Sequence, residues 1–198
     1  MTAAIFCDGA CRGNGTRHAV AGWAWALWPS GIRGEPAVAR GAKLSLGAAT
    51  NQRAELMALL EAIRHGVDAT IYTDSMYAIN CTSVWGPGWK RKGWKRDSGE
   101  PLQNLDLIQP LVELWDKKRW PLRHVRGHQT GSSPEAHGNN WVDRAAVQAS
   151  LGETVFVNNA TDVISHVEEA PVVKAPVLLI AKKATGPVAQ ADLRLWFK

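Results

Sequence analysis

The chain has 198 residues, 45% hydrophobic and 21% charged, which suits one domain with an appendage and excludes disorder over most of its length. Its formal charge is +5, and residues 1–150 carry 18 Lys and Arg against 13 Asp and Glu while residues 151–198 carry 5 of each, so a polyanionic partner is expected for the first part alone. Cys7, Cys11 and Cys81 form neither an even set nor a Cys-x-x-Cys pair, no leader-like N-terminus or bilayer-length apolar run is visible, and the expectation is a cytoplasmic, monomeric protein with no membrane partner.

Residues 3–7 are an apolar run that reads as a first strand ending at Asp8, and Gly9, Gly13, Asn14 and Gly15 supply turn chemistry after it. Val20 to Leu27 and Val38 to Leu46, separated by Pro29-Ser30-Gly31, complete a three-stranded meander. Thr50 is an N-cap for a helix over 51–65, where Leu56, Leu59, Leu60 and Ile63 recur at helical spacing. Ala69 to Thr73 is a strand ending at Asp74, followed by a short helix over Ser75 to Thr82. The run Trp85-Gly-Pro-Gly-Trp89-Lys90-Arg91-Lys92-Gly-Trp94-Lys95-Arg96 interleaves tryptophan with five basic residues and belongs on a surface, since no core accepts that charge density. A helix is expected over Asn104 to Lys118 with Pro110 as an awkward interior residue, then a strand at Leu122 to Arg126 and a last helix at Asn139 to Ser150. Beyond 150 the chain is rich in Ala, Val and Pro without a period, so 151–198 reads as an extension whose first part, 151–185, is a partly ordered linker.

Four acids fall on separate predicted elements: Asp8, Glu55, Asp74 and Asp143. Mg²⁺, or Mn²⁺ in its place, prefers carboxylate oxygen, and a two-metal site that acts on a phosphodiester needs several carboxylates converging. Taken singly each acid also has a plain structural reading: Asp8 in a turn, Asp74 as an N-cap, Glu55 and Asp143 as solvated helix residues.

The phrases around the acids decide between these. Ile-Phe-Cys-Asp-Gly-Ala-Cys-Arg-Gly-Asn-Gly at 5–15, Thr-Asn-Gln-Arg-Ala-Glu-Leu at 50–56, Ile-Tyr-Thr-Asp-Ser at 71–75, Val-Arg-Gly-His at 125–128 and Gly-Asn-Asn-Trp-Val-Asp-Arg-Ala at 138–145 resemble, in order, the type 1 ribonuclease H family. The resemblance covers about residues 3–150. It implies an α/β ribonuclease H-like fold with a mixed five-stranded sheet, three antiparallel strands first, over a catalytic domain at 1–150. It also implies an endonuclease that hydrolyses the RNA strand of RNA–DNA hybrids in primer or R-loop removal, with Asp8, Glu55, Asp74 and Asp143 holding two Mg²⁺ ions and His128 assisting proton transfer or product release. The basic Trp run resembles the family's protrusion, with Trp85, Trp89, Lys90, Arg91, Lys92, Trp94 and Lys95 on the hybrid. Cys11, Asn14, Asn51 and Gln52 would read 2′-hydroxyls and bases, and Thr50 and Asn104 would cradle a DNA phosphate. Departures are a longer stretch from His128 to Asp143, Asn140 where many members have an acid, and Met76 where many have Gln.

Two other readings remain open on the sequence, a non-catalytic hybrid-binding module and another carboxylate nuclease or integrase on the same fold. At the C-terminus, Gln190, Leu193, Leu195, Trp196 and Phe197 resemble peptides that dock on replication sliding clamps, with Leu193, Trp196 and Phe197 spaced for one helical face.

Overall fold

The structure is a computed structural model that describes residues 3–45 and 47–159, so the expected clamp peptide at 190–198 lies outside the described residues. Six strands, β1 (Ala3–Arg12), β2 (Val20–Trp28), β3 (Val38–Lys43), β4 (Ala69–Thr73), β5 (Leu122–His124) and β6 (Val155–Asn158), form one mixed sheet in the order β5-β4-β1-β2-β3-β6. The first three strands are an antiparallel meander, β4 and β5 join parallel, and β6 returns antiparallel on the free edge of β3, with Val157 opposite Ala39.

Alternation along β1 and β2 gives the sheet two apolar faces. Ile5, Cys7, Trp25 and Leu27 pack with α1 (Asn51–Arg64) and α4 (Leu105–Lys118) through Leu56, Leu59, Leu60, Ile63, Leu111 and Val112. Phe6, Trp28 and Ala24 face α5 (Pro134–Ser150), which presents Val142, Ala145 and Ala146. That second face is thin because its residues are small: a Cβ at Gly22 would stand 2.2 Å from the Ser150 amide, so only glycine lets α5 lie this close to β2. Trp28 meets the rings of Phe6 and Trp141 edge-on at 5.7 and 6.1 Å.

Several boundaries differ from the sequence expectation. The sheet has six strands, not five, because Val155–Asn158, expected within a linker, finds an unpaired edge on β3. Strand β1 runs through Asp8 to Arg12, since pairing with β2 continues as far as Arg12 opposite Val20. The helix after Asp74 is α2 (Met76–Ile79) running into a π-helical turn over Asn80–Val84, and part of the basic run is itself a helix, α3 (Gly86–Arg91), with Pro87 in its first turn where a missing N–H is harmless. Helix α5 starts at Pro134 instead of Asn139, because Ser133 accepts a hydrogen bond from the Ala136 amide at 3.1 Å and caps it. Pro110 is accommodated inside α4 at the sixth position.

Candidate active site

The acids meet because of how β1, β4 and α1 approach one another. Parallel pairing sets Phe6 opposite Tyr72, and the same register continued by two residues puts Asp8 opposite Asp74. Next to Asp8, a Cβ on Gly9 would lie 2.3 Å from the Glu55 amide nitrogen, so the strand touches the helix only because residue 9 has no side chain. As a result, one carboxylate oxygen from each of Asp8, Glu55 and Asp74 lies within 4.8 Å of the others. Asp143, from α5, lies near enough for its charge to raise the Asp8 carboxyl but stands outside this tight trio.

Two of the three acids are buried, Asp8 at 5% and Glu55 at 8% exposure, and no basic side chain pairs with any of the trio among the described residues. The Gly9 amide donates to Asp8 Oδ1 at 2.7 Å and Asn51 Nδ2 to Glu55 Oε1 at 3.4 Å, while Glu55 Oε2 is buried without a hydrogen-bond partner. Burial, and then the charge of Asp74, pushes the Asp8 carboxyl up to about 8. Burial, then Asp8 and Asp74, pushes Glu55 up to about 9. A cluster of hard oxygen donors with an orphaned buried oxygen and no cationic side chain fits a divalent cation such as Mg²⁺.

His128 lies on the loop between β5 and α5, its Nδ1 3.7 Å from Asp143 Oδ2 and its side chain 84% exposed. The loop comes this near because Gly127 lies over Asp74, where a Cβ would stand 2.5 Å from Oδ2.

The expected hybrid-contacting residues separate into two groups. Near the acids, Asn14 Oδ1 accepts from the Asn51 amide at 3.2 Å, tying the β1–β2 loop to the start of α1, and the Cys11 thiol faces the Ala49 carbonyl at 3.7 Å. Thr50 caps α1, accepting from the Arg53 amide at 3.2 Å. Asn104 does not cap α4 with its side chain: its φ is 59°, and the carboxamide bridges the Tyr77 hydroxyl at 3.1 Å and the Arg53 guanidinium at 3.4 Å. Further out, Gln52, Tyr77, Trp85 and Trp89 line a cleft of about 450 Å³. Trp89 and Trp94 are anchored against the core, whereas Trp85 is exposed. Lys90 pairs with Asp116 at 2.7 Å, Lys92 with Asp97, and Arg96 with Glu100 at 3.4 Å; no ion pair involves Arg91 or Lys95 among the described residues.

Sequence reasoning missed Asn139, which is 1% exposed and directs Nδ2 toward Asp74 Oδ2 at 3.5 Å with its own Oδ1 unpartnered. Its position within the Gly-Asn-Asn-Trp-Val-Asp phrase, four residues before Asp143 and so on the same helical face, was the available signal. It also missed Arg53, whose guanidinium grips Asp106 at 2.8 and 2.5 Å and so fixes the start of α4 and with it Asn104.

A sequence model of the RNase H family matches residues 1–151. Among curated proteins, the chain is 37% identical over 151 residues to "Ribonuclease HI" of Streptomyces coelicolor, covering 73% of this chain and 60% of that protein. It is 37% identical over 147 residues to "Ribonuclease H" of Pseudomonas fluorescens, covering 72% of this chain and 87% of that protein. Among solved structures, LC9-RNase H1, described as a type 1 RNase H with the type 2 active-site motif, superposes with a TM-score of 0.60 at 29% identity, covering 80% of this chain and 77% of that one.

Proposed function

The chain belongs to the ribonuclease H family, and from that membership we propose that it is an endonuclease hydrolysing the RNA strand of RNA–DNA hybrids with two divalent metal ions, Mg²⁺ or Mn²⁺. The observation that carries this is the convergence of Asp8, Glu55 and Asp74 within 4.8 Å, with Asp143 beside Asp8. When bound, such ions supply Lewis-acid polarisation of the scissile phosphate and an activated water.

The chain's own residues divide the remaining work. Asp8, Glu55, Asp74 and Asp143 would hold the ions, and Asn139 orients Asp74 through its carboxamide. His128, exposed and with Nδ1 3.7 Å from Asp143 Oδ2, would assist proton transfer or product release. Asn14, Asn51 and Gln52 would distinguish ribose by its 2′-hydroxyl. Trp85, Trp89, Trp94, Lys90, Arg91, Lys92 and Lys95 would hold the hybrid without reading its sequence. For the cell we propose a cytoplasmic monomer acting on primers or R-loops, with residues 1–150 as its catalytic domain. The C-terminal segment containing Gln190, Leu193, Leu195, Trp196 and Phe197 would dock a sliding clamp, which the sequence pattern alone supports.

The test is a labelled hybrid incubated with Mg²⁺ or with chelator, alongside Asp74→Asn. Cleavage should need the metal, and the variant should lose it by at least about a hundredfold while its affinity for hybrid stays within about threefold, since the basic surface is untouched. Binding without cleavage in the wild type would favour a non-catalytic hybrid-binding module, and substantial activity in Asp74→Asn would remove the metal-site assignment.

A further inference from the structure

His128 approaches the acids from residues 126–133, a stretch with neither strand nor helix. Its side chain is largely in solvent and its backbone occupies the left-handed region at φ 49°, so neither packing nor local preference keeps it beside Asp143. Two carboxamides do. Asn140, half-buried on α5, donates from Nδ2 to the Gln129 carbonyl at 2.8 Å. Gln129 in turn donates from Nε2 to the Arg126 carbonyl at 2.7 Å. The second bond closes the turn around His128, and the first fastens that turn to the helix that carries Asp143, one turn further along on the same face. The loop's anchor and the acid that His128 faces therefore move together.

We infer that Asn140, acting through Gln129, is a positioning residue for the nuclease reaction: it sets where the His128 imidazole stands relative to Asp143 without touching the substrate. The inference rests on the nuclease reading given above. The chemistry at 140 is specific, because a backbone carbonyl needs a donor, which a carboxamide has and an ionised carboxylate of the same shape lacks. A carboxylate there would repel the Gln129 carbonyl and release the loop.

The experiment compares full-length wild type, Asn140→Asp and Gln129→Ala, each also in a His128→Ala background. Gln129→Ala leaves α5 intact and so stands in if Asn140→Asp folds poorly. Either variant should lower turnover on hybrid by about tenfold, with KM within about twofold, as expected for a misplaced group that does not bind substrate. Backbone ¹⁵N order parameters over 127–131 should fall from the rigid range to below about 0.6. In the His128→Ala background neither substitution should lower turnover further, because the coupling runs through His128. Unchanged order parameters, unchanged turnover, or an equal loss in both backgrounds would overturn the inference, the last showing a general structural role. A wild type that fails to cut hybrid would overturn the nuclease reading and the rate arm with it, and the order parameters would still decide whether the latch exists.

Discussion

Asp8 and Glu55 are held where a lone carboxylate is unwelcome, and the direction of the consequence can be worked out. Their folded-state pKa values, about 8 and about 9, lie above those of the unfolded chain, near 4, so the folded protein keeps protons that the unfolded chain releases. Stability without metal is therefore full below about pH 4 and falls as pH rises toward 9. Urea denaturation in chelator should show this decline, Mg²⁺ should reverse it, and Asp8→Asn should be more stable than wild type at pH 8, with the difference shrinking toward pH 4. A flat profile in chelator would mean that the acids are better solvated than their burial implies. These acids were legible in the sequence because each sits in a phrase of fixed composition. Asn139 and Gly127 lie in such phrases too, but their roles toward Asp74, a carboxamide 3.5 Å from its Oδ2 and a backbone so close that a Cβ would stand 2.5 Å from the same oxygen, exist only in the folded chain.

Among the elements, α3 shows how far composition carries an argument. The Trp and basic run was readable as a surface from its charge density, but its helical turn and its acid partners were not, since Asp116 lies on α4, 26 residues from Lys90. The exposed pairs of Lys90 with Asp116 and Lys92 with Asp97 are worth at most about 1 kcal/mol each, so phosphates can displace the acids readily. Replacing Lys90, Arg91 and Lys92 together with Gln should therefore raise KM for hybrid by about tenfold with turnover changed less than about twofold. The slope of log KM against log salt should flatten by roughly two to three, close to one for each phosphate that is no longer neutralised. An unaltered slope in steady-state kinetics between about 50 and about 200 mM salt would leave the run as a solvated surface. The start of α5 was misplaced for a related reason: the Ser133-Pro134 cap lies five residues ahead of the apolar pattern that marks the helix.

At the scale of the whole molecule, the meander, the parallel β4 and β5 and the helices on both faces all followed from periodicity and from the family phrases, whereas β6 did not. Val-Phe-Val-Asn is only four residues long and heads an Ala- and Val-rich tract without a period, so its strand character depends on the free edge of β3. A chain ended after Asn159 should thus keep the unfolding midpoint and hybrid cleavage of the full protein while losing any capture by a sliding clamp. A chain ended after Gly152 should be less stable by about 1–2 kcal/mol, because it leaves Val38 and Ala39 unpaired and removes the packing of Val155 and Val157 against α5 and the sheet. Equal midpoints for the two truncations would show β6 to be dispensable, and clamp capture by the shorter chains would move that activity off the C-terminus. The sixth strand also determines from which side the polypeptide can be handled. Residue 159 follows the strand three places from β1, about 14 Å across the sheet at one strand spacing per place, and on the opposite side of β1 from β4 and the Asp74 that follows it. In a chain ended after Asn159, a bead, dye or surface attached at that residue would be held away from the acid cluster, which makes this terminus the natural handle for immobilising the domain as a working reagent.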